Sequence, residues 1–240
     1  MRSIYSYFYA KQPETLNEVL PDYEHGKFVT FLNPYSAEIA KKHIQVYSSA
    51  DYICSDGVLP ILLNKVFRKN KTQRISFDMT SLAPHVFRQL SQDEKTVFFI
   101  GSTIQNITEF VRLIKSEYPS LNVSGYSDGY VANKLERVCW EIIEQNPSTV
   151  IVGMGTPLQD LFALKLKEMG YNGNVYTCGG FFHQTTQKIQ YYPPIIDKLN
   201  LRWLYRIINE KYVLKRIVFY YPTFVLNYIL FLFTIKSNKN

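Results

Sequence analysis

Short apolar runs at 27–32, 95–100, 148–152 and 174–177, rich in Phe, Val and Ile, each end at a turn former, usually glycine. Runs of this length and composition read as buried strands. Between them, at 36–47, 105–118, 133–144 and 158–169, apolar positions recur at three and four, the spacing of one helix face. Strands that alternate with helices are joined by crossovers, and crossovers make neighbouring strands parallel. The pattern predicts an α/β domain with a largely parallel sheet flanked by helices. It also places ligands beyond the carboxyl ends of the strands, where the glycines occur.

With 240 residues the chain is long enough for one core or one core with an appendage, and two full domains would be a squeeze. Its character changes after Pro193-Pro194. A basic, helical-looking segment at 199–216 leads into an uncharged run at 217–235, close to the length that crosses a bilayer and interrupted by Pro222 and Asn227. The expected division is a catalytic domain, 1–198, and a membrane-associating appendage, 199–240. Lys211, Lys215 and Arg216 precede the apolar run, and Phe219, Tyr220, Tyr221 and Phe224 supply rings suited to a water–lipid boundary. A solvated basic face is the rival reading of the lysines and arginines.

A net charge of +7 calls for an anionic partner: a phosphorylated sugar donor, an acidic lipid or nucleic acid. The basic residues are not interleaved with aromatics over a broad surface, so nucleic acid is not expected. Cys54, Cys139 and Cys178 are widely spaced, the four histidines form no ligand cluster, and no D-x-D pair occurs, so neither a metal nor a cofactor is implied. The start, Met1-Arg2-Ser3-Ile4-Tyr5, lacks the apolar stretch and cleavage site of a secretory signal, and the cytoplasm is the expected compartment.

The separated turns carry the chemistry. Gly153-Met154-Gly155 follows a strand and precedes a helix, where backbone amides and the helix dipole favour a phosphate. Leu158 stands where a dinucleotide fingerprint needs its third glycine, which argues against a nicotinamide cofactor. A purely structural turn remains open for this segment and for Gly101-Ser102. Asp56-Gly57, after the apolar Tyr52-Ile53-Cys54, is by itself an ordinary turn, and Arg74, with Asp78 four residues on, is by itself a surface pair.

Read in order, Asp56-Gly57, Arg74 to Asp78, Gly101-Ser102, Asp128-Gly129-Tyr130, Gly153 to Asp160, Cys178-Gly179-Gly180 and Arg202 to Arg206 resemble the WecG/TagA/CpsF family of bacterial glycosyltransferases. The resemblance covers about residues 27–216. It implies a Rossmann-like domain, a C-terminal appendage that docks on the membrane, and inverting transfer of an N-acetylhexosamine or related sugar. The implied donor is a UDP-sugar and the implied acceptor a polyprenyl-diphosphate-linked sugar. The expected location is the cytoplasmic face of the bacterial cell membrane, and a homo-oligomer stays open.

By the same resemblance Asp56 takes the place of the catalytic base in the family's A-D-G segment, and Asn33 matches a Thr-x-Asn pattern with Thr30 one residue farther off. Arg74 and Asp78 match E-R-x-x-G-x-D. Gln159 matches G-x-G-x-P-x-Q-E, with Asp160 replacing the acid. Asp56, Asn33, Arg74 and Gln159 are therefore the expected catalytic residues. Gly101, Gly129, Tyr130, Gly153, Gly155, Gly179, Gly180, Arg206 and Arg216 are the expected donor-binding residues. His183 stands where a carboxylate is common, Tyr191-Tyr192-Pro193 replaces R-A-P, Val213 falls at an expected arginine and Arg202 at an expected Glu, departures that imply a branch with its own donor or acceptor preference. The reading from another class is a noncatalytic nucleotide-sugar-binding protein, which keeps the glycine turns but needs no base at Asp56.

Overall fold

A computed structural model describes residues 3–68 and 72–237. Six strands, β1 (Phe28–Leu32), β2 (Tyr52–Ser55), β3 (Thr96–Gly101), β4 (Asn122–Ser127), β5 (Thr149–Gly153) and β6 (Asn174–Thr177), form one all-parallel sheet in the order β2-β1-β6-β5-β3-β4. The four strands expected from the apolar runs are β1, β3, β5 and β6, the centre of the sheet. The helices are α1 (Ile4–Ala10), α2 (Pro34–Ala40), α3 (Ile44–Ser49), α4 (Val58–Arg68), α5 (Ala83–Gln92) and α6 (Ile104–Glu117), followed by α7 (Leu135–Gln145), α8 (Leu158–Glu168), α9 (Phe181–Gln187), α10 (Pro194–Lys198), α11 (Arg202–Asn209) and α12 (Lys211–Ser237).

Alternate residues of each central strand feed opposite cores, because side chains change face at every residue. Phe28 and Leu32 of β1, Ile100 of β3 and Val152 of β5 face a core closed by α1, α2, α3, α7, α8 and α12. Val29, Phe31, Phe99 and Ile151 face the other, closed by α5, α6 and α9, where Phe77, Phe87, Phe110, Phe181 and Phe182 pack edge to face. The segment at 36–47, expected as one helix, is α2 and α3 joined by a 3₁₀ turn at Lys41–His43. Asn33 starts α2: its side chain accepts from Ser36 N at 3.0 Å, and Pro34 occupies the first turn, where its missing N–H costs nothing.

The C-terminal segment is one continuous helix, α12, that begins inside the basic stretch and runs through Pro222. Tyr212–Ile235 is long and apolar enough to cross a membrane, yet one face lies against the protein. Phe224, Tyr228 and Leu232 are buried there against α1, with Tyr5 5.7 Å and Phe8 6.0 Å from Tyr228 between ring centroids. The Tyr228 hydroxyl donates to Asn64 Oδ1 at 2.7 Å, and Asn64 Nδ2 donates to Gln12 Oε1 at 2.8 Å, a buried polar chain that fixes α12 against α4 and the end of α1. Phe224, expected at the membrane, is a core residue. The helical period turns it toward α1 while Phe219, 67% exposed, points out.

Candidate functional site

The loops at the carboxyl ends of β1, β2, β5 and β6 surround a polar cleft of about 350 Å³. An apolar groove of about 380 Å³ lies beside it, walled by α4, α11 and α12 through Leu59, Leu62, Trp203, Val213, Ile217 and Tyr221. Asn33, Asp56, Tyr192 and Arg206 line both. The strand order puts them there: β1 and β2 are neighbours, and Asp56 N donates to Leu32 O at 2.9 Å, so the residues that follow each strand emerge side by side.

Asp56 is half-buried, and its carboxylate takes no hydrogen bond from any described residue. Burial, and then the Asp78 carboxylate, push its pKa above the ordinary carboxylate value, while Arg206, Arg202 and Arg74 pull the other way without cancelling the rise. A carboxylate that is undersolvated and unbonded, facing open space, is a base with its lone pairs available.

Gln159 ties two glycine turns together. Its Oε1 accepts from Gly179 N at 2.9 Å and Gly155 N at 3.2 Å, both glycines in left-handed backbone conformations (φ +58° and +76°) that place their amides toward one oxygen. Those two amides are therefore engaged within the protein. The turns shape the cleft, and Gly153, Gly155, Gly179 and Gly180 all line it. Gly101 and Gly129 sit one layer back: Gly129 N donates to Ser102 O at 2.9 Å and Ser102 N to Gly153 O at 3.1 Å, so they set the position of Ser102, which does reach the cleft. Tyr130 stands clear of it, 74% exposed. His183 lines the cleft beside Asn106 and Gln187. Thr30 turns away from it, donating to the buried Asp160 Oδ1 at 2.5 Å. Burial pushes the Asp160 carboxyl up to about 6, against the pull of that hydrogen bond.

The arginines divide by partner. Arg74 reaches Asp197 at 2.9 Å rather than Asp78, because 72–78 is not helical and four-residue spacing brings no contact there. Asp78 belongs to Arg202, which donates to Asp78 Oδ2 and Asp197 Oδ1 at 2.6 Å each and to Ser76 Oγ at 3.0 Å, also bonds Thr80, and lies 4.5 Å from the Tyr192 ring centroid. This knot joins α10 and α11 to the segment between α4 and α5. Arg202 entered the sequence reading as a departure from an expected Glu; the distance of over a hundred residues to Asp78 hides its role from any local pattern. Arg206 pairs with Glu210 through two nitrogens, at 3.1 and 2.8 Å. Glu210 is held down to about 2: burial opposes this, but Arg206 and the Tyr212 and Tyr191 hydroxyls outweigh it. Arg216 has no acidic partner among the described residues; its guanidinium lies 4.2 Å from the Tyr35 ring centroid and 4.6 Å from that of Tyr212. Lys215 and Phe219 are exposed, whereas Tyr220 packs on Tyr35 and Tyr221 lines the apolar groove. Lys211 opens α12, and its side chain lies outside the described residues.

The profile described as "Glycosyl transferase WecG/TagA/CpsF family" matches residues 4–238. Over 221 residues the chain is 34% identical to a UDP-Gal:alpha-D-GlcNAc-diphosphoundecaprenol beta-1,4-galactosyltransferase of Shigella boydii, covering 91% of this chain and 92% of that protein. It is 30% identical over 194 residues to an N-acetylglucosaminyldiphosphoundecaprenol N-acetyl-beta-D-mannosaminyltransferase of Bacillus spizizenii, covering 79% and 74%. The corresponding enzyme of Bacillus subtilis is 29% identical over 205 residues, covering 82% and 77%.

Proposed function

Since the chain belongs to the WecG/TagA/CpsF family of glycosyl transferases, we propose that it moves a hexose from a UDP-sugar to a polyprenyl-diphosphate-linked sugar in the synthesis of a bacterial surface polysaccharide. The observation that carries this reading is the position of Asp56: an unbonded carboxylate at the junction of a polar cleft and an apolar groove. The cleft, formed by the glycine turns, takes the nucleotide sugar. The groove takes the acceptor, its apolar wall receiving the first isoprene units.

In the displacement, the acceptor hydroxyl oxygen forms a bond to the anomeric carbon as the bond from that carbon to the UDP oxygen breaks on the opposite face. UDP departs with the electron pair, Asp56 receives the hydroxyl proton, and the configuration inverts. Asn33 and Gln159 keep their amide nitrogens for sugar hydroxyls, since their oxygens are engaged by Ser36 N and by the two glycine amides. Charge growing on UDP is met by guanidinium groups, and no step calls on a metal.

Residues 199–240 then act as the element that brings the groove to the lipid. The outer face of α12, with Leu226, Leu230 and Phe233 exposed, lies in the cytoplasmic leaflet, while its inner face stays on the protein. An α12 whose inner face packs against α2 and α1 suits a helix lying in the interface, not one crossing the bilayer. The test is Asp56→Asn, assayed with a panel of UDP-hexoses and a prenyl-diphosphate-linked GlcNAc acceptor. Turnover is expected to fall by about a hundredfold or more while UDP binding survives; unchanged turnover removes Asp56 from the reaction.

A further inference from the structure

Two arginines line the polar cleft, and their surroundings differ. Arg206 is covered by a bidentate carboxylate, so the pair brings little net charge to an incoming anion. Among the described residues Arg216 is held by rings, with the Tyr35 centroid at 4.2 Å and the Tyr212 centroid at 4.6 Å, and Tyr220 packed edge-on against Tyr35 at 4.9 Å. Tyr212, Arg216 and Tyr220 follow one another at four-residue steps on one face of α12. Tyr35 comes from α2, which packs on α12, two residues after the cap Asn33, so the turn that sets Asn33 also sets this ring. Ring faces fix the plane of a guanidinium without neutralising it, leaving its N–H edge without an acceptor among the described residues.

We infer that Tyr35 and Tyr212 are positioning residues that hold Arg216, uncompensated, as the cation that meets the diphosphate of the donor and of departing UDP. The inference rests on the glycosyltransferase reading of the cleft and adds to it which charge does the work and what aims it.

The experiment measures UDP and uridine affinity by calorimetry on the full chain and on Arg216→Ala, Tyr35→Leu, Tyr35→Phe, Tyr212→Leu and the Tyr35→Leu/Arg216→Ala double variant. Arg216→Ala is expected to weaken UDP about tenfold or more and leave uridine unchanged. Tyr35→Leu and Tyr212→Leu are expected to weaken UDP about threefold to tenfold, Tyr35→Phe to restore it, and Tyr35→Leu to add nothing once Arg216 is gone. A loss shared equally by uridine, or the same loss from Tyr35→Leu with and without Arg216, overturns the inference. Should Tyr35→Leu fail to fold, the comparison of Tyr212→Leu with Tyr212→Phe decides, since Phe keeps the ring and loses only the hydroxyl, with its bond to Glu210, and Tyr212 is 51% exposed and outside the core. Wild-type protein that binds neither UDP nor any UDP-sugar would instead sink the functional reading, and the inference with it.

Discussion

Replacing Arg202 by Met keeps the length and apolar stem of the side chain and removes its charge, which makes it a clean probe of the knot between α10–α11 and the segment linking α4 to α5. Arg202 and Asp78 are 11% and 13% exposed, so the substitution strands a buried carboxylate. Breaking a buried pair from one side costs about 3–5 kcal/mol, and the residual exposure places this case near ~3. For a chain of this size each kcal/mol moves the melting temperature by about 2–4 °C, giving an expected drop of roughly 6–12 °C by circular dichroism at pH 7. Asp78 also fixes the pH dependence. Burial raises its pKa, but Arg202 and the hydrogen bonds from Ser76 and Thr80 prevail and hold it below the model-peptide value of 3.8. A depressed carboxyl contributes stability that is complete above 3.8 and vanishes as pH falls through its lower folded value, so the gap between wild type and Arg202→Met should narrow in acid. The double variant Arg202→Met/Asp78→Asn leaves no orphaned charge at Asp78 and should recover more than half the loss. A melting temperature within 2 °C of wild type for the single variant, or no recovery in the double, refutes the reasoning.

Because burial and Asp78 raise the pKa of Asp56, the acid limb of kcat/KM should lie above the ordinary carboxylate range and disappear from the residual activity of Asp56→Asn; a limb near 3.8 would show that a solvated group controls the rate. Asp160 releases its proton near 3.8 in the unfolded chain and at about 6 in the fold, so native stability falls between those values by roughly 3 kcal/mol. The melting temperature of Asp160→Asn, relative to wild type, should therefore climb from pH 4 to pH 7, and a difference independent of pH would contradict this. Phe219, Leu226 and Leu230 changed together to Ser should abolish sedimentation with anionic vesicles at an unchanged melting temperature. Tyr228→Phe should do the reverse, losing about 1–3 kcal/mol by stranding Asn64 while vesicle binding persists; persistent sedimentation of the triple variant would remove α12 from the membrane.

The centre of the sheet was legible because β1, β3, β5 and β6 are buried on both faces and therefore mostly apolar, with Thr30, Thr149, Asn174 and Thr177 as buried polar exceptions. The edge strand β4, Asn-Val-Ser-Gly-Tyr-Ser, pairs on one side only, is nowhere fully buried, and has no such run to reveal it. Glycine spacing marked the turns around the cleft, but not that Gln159 would consume two of their amides, since that depends on β5 and β6 lying side by side. The tail showed its apolarity and not its sidedness. Pro222 read as an interruption, yet Phe224 and Tyr228 anchor the helix just beyond it, and packing outweighs one missing hydrogen bond. Arg202 was the least readable: its partners lie at 76, 78, 80 and 197, and only the folded chain brings them to one guanidinium.

The contact of α1 with α12 couples two segments far apart in the sequence. During synthesis Ile4, Tyr5 and Phe8 leave the ribosome early and wait for Phe224, Tyr228 and Leu232, which emerge more than two hundred residues later. The segment that closes the core also walls the groove beside Asp56 and carries the outward apolar face, so a nascent chain released short of it lacks all three together.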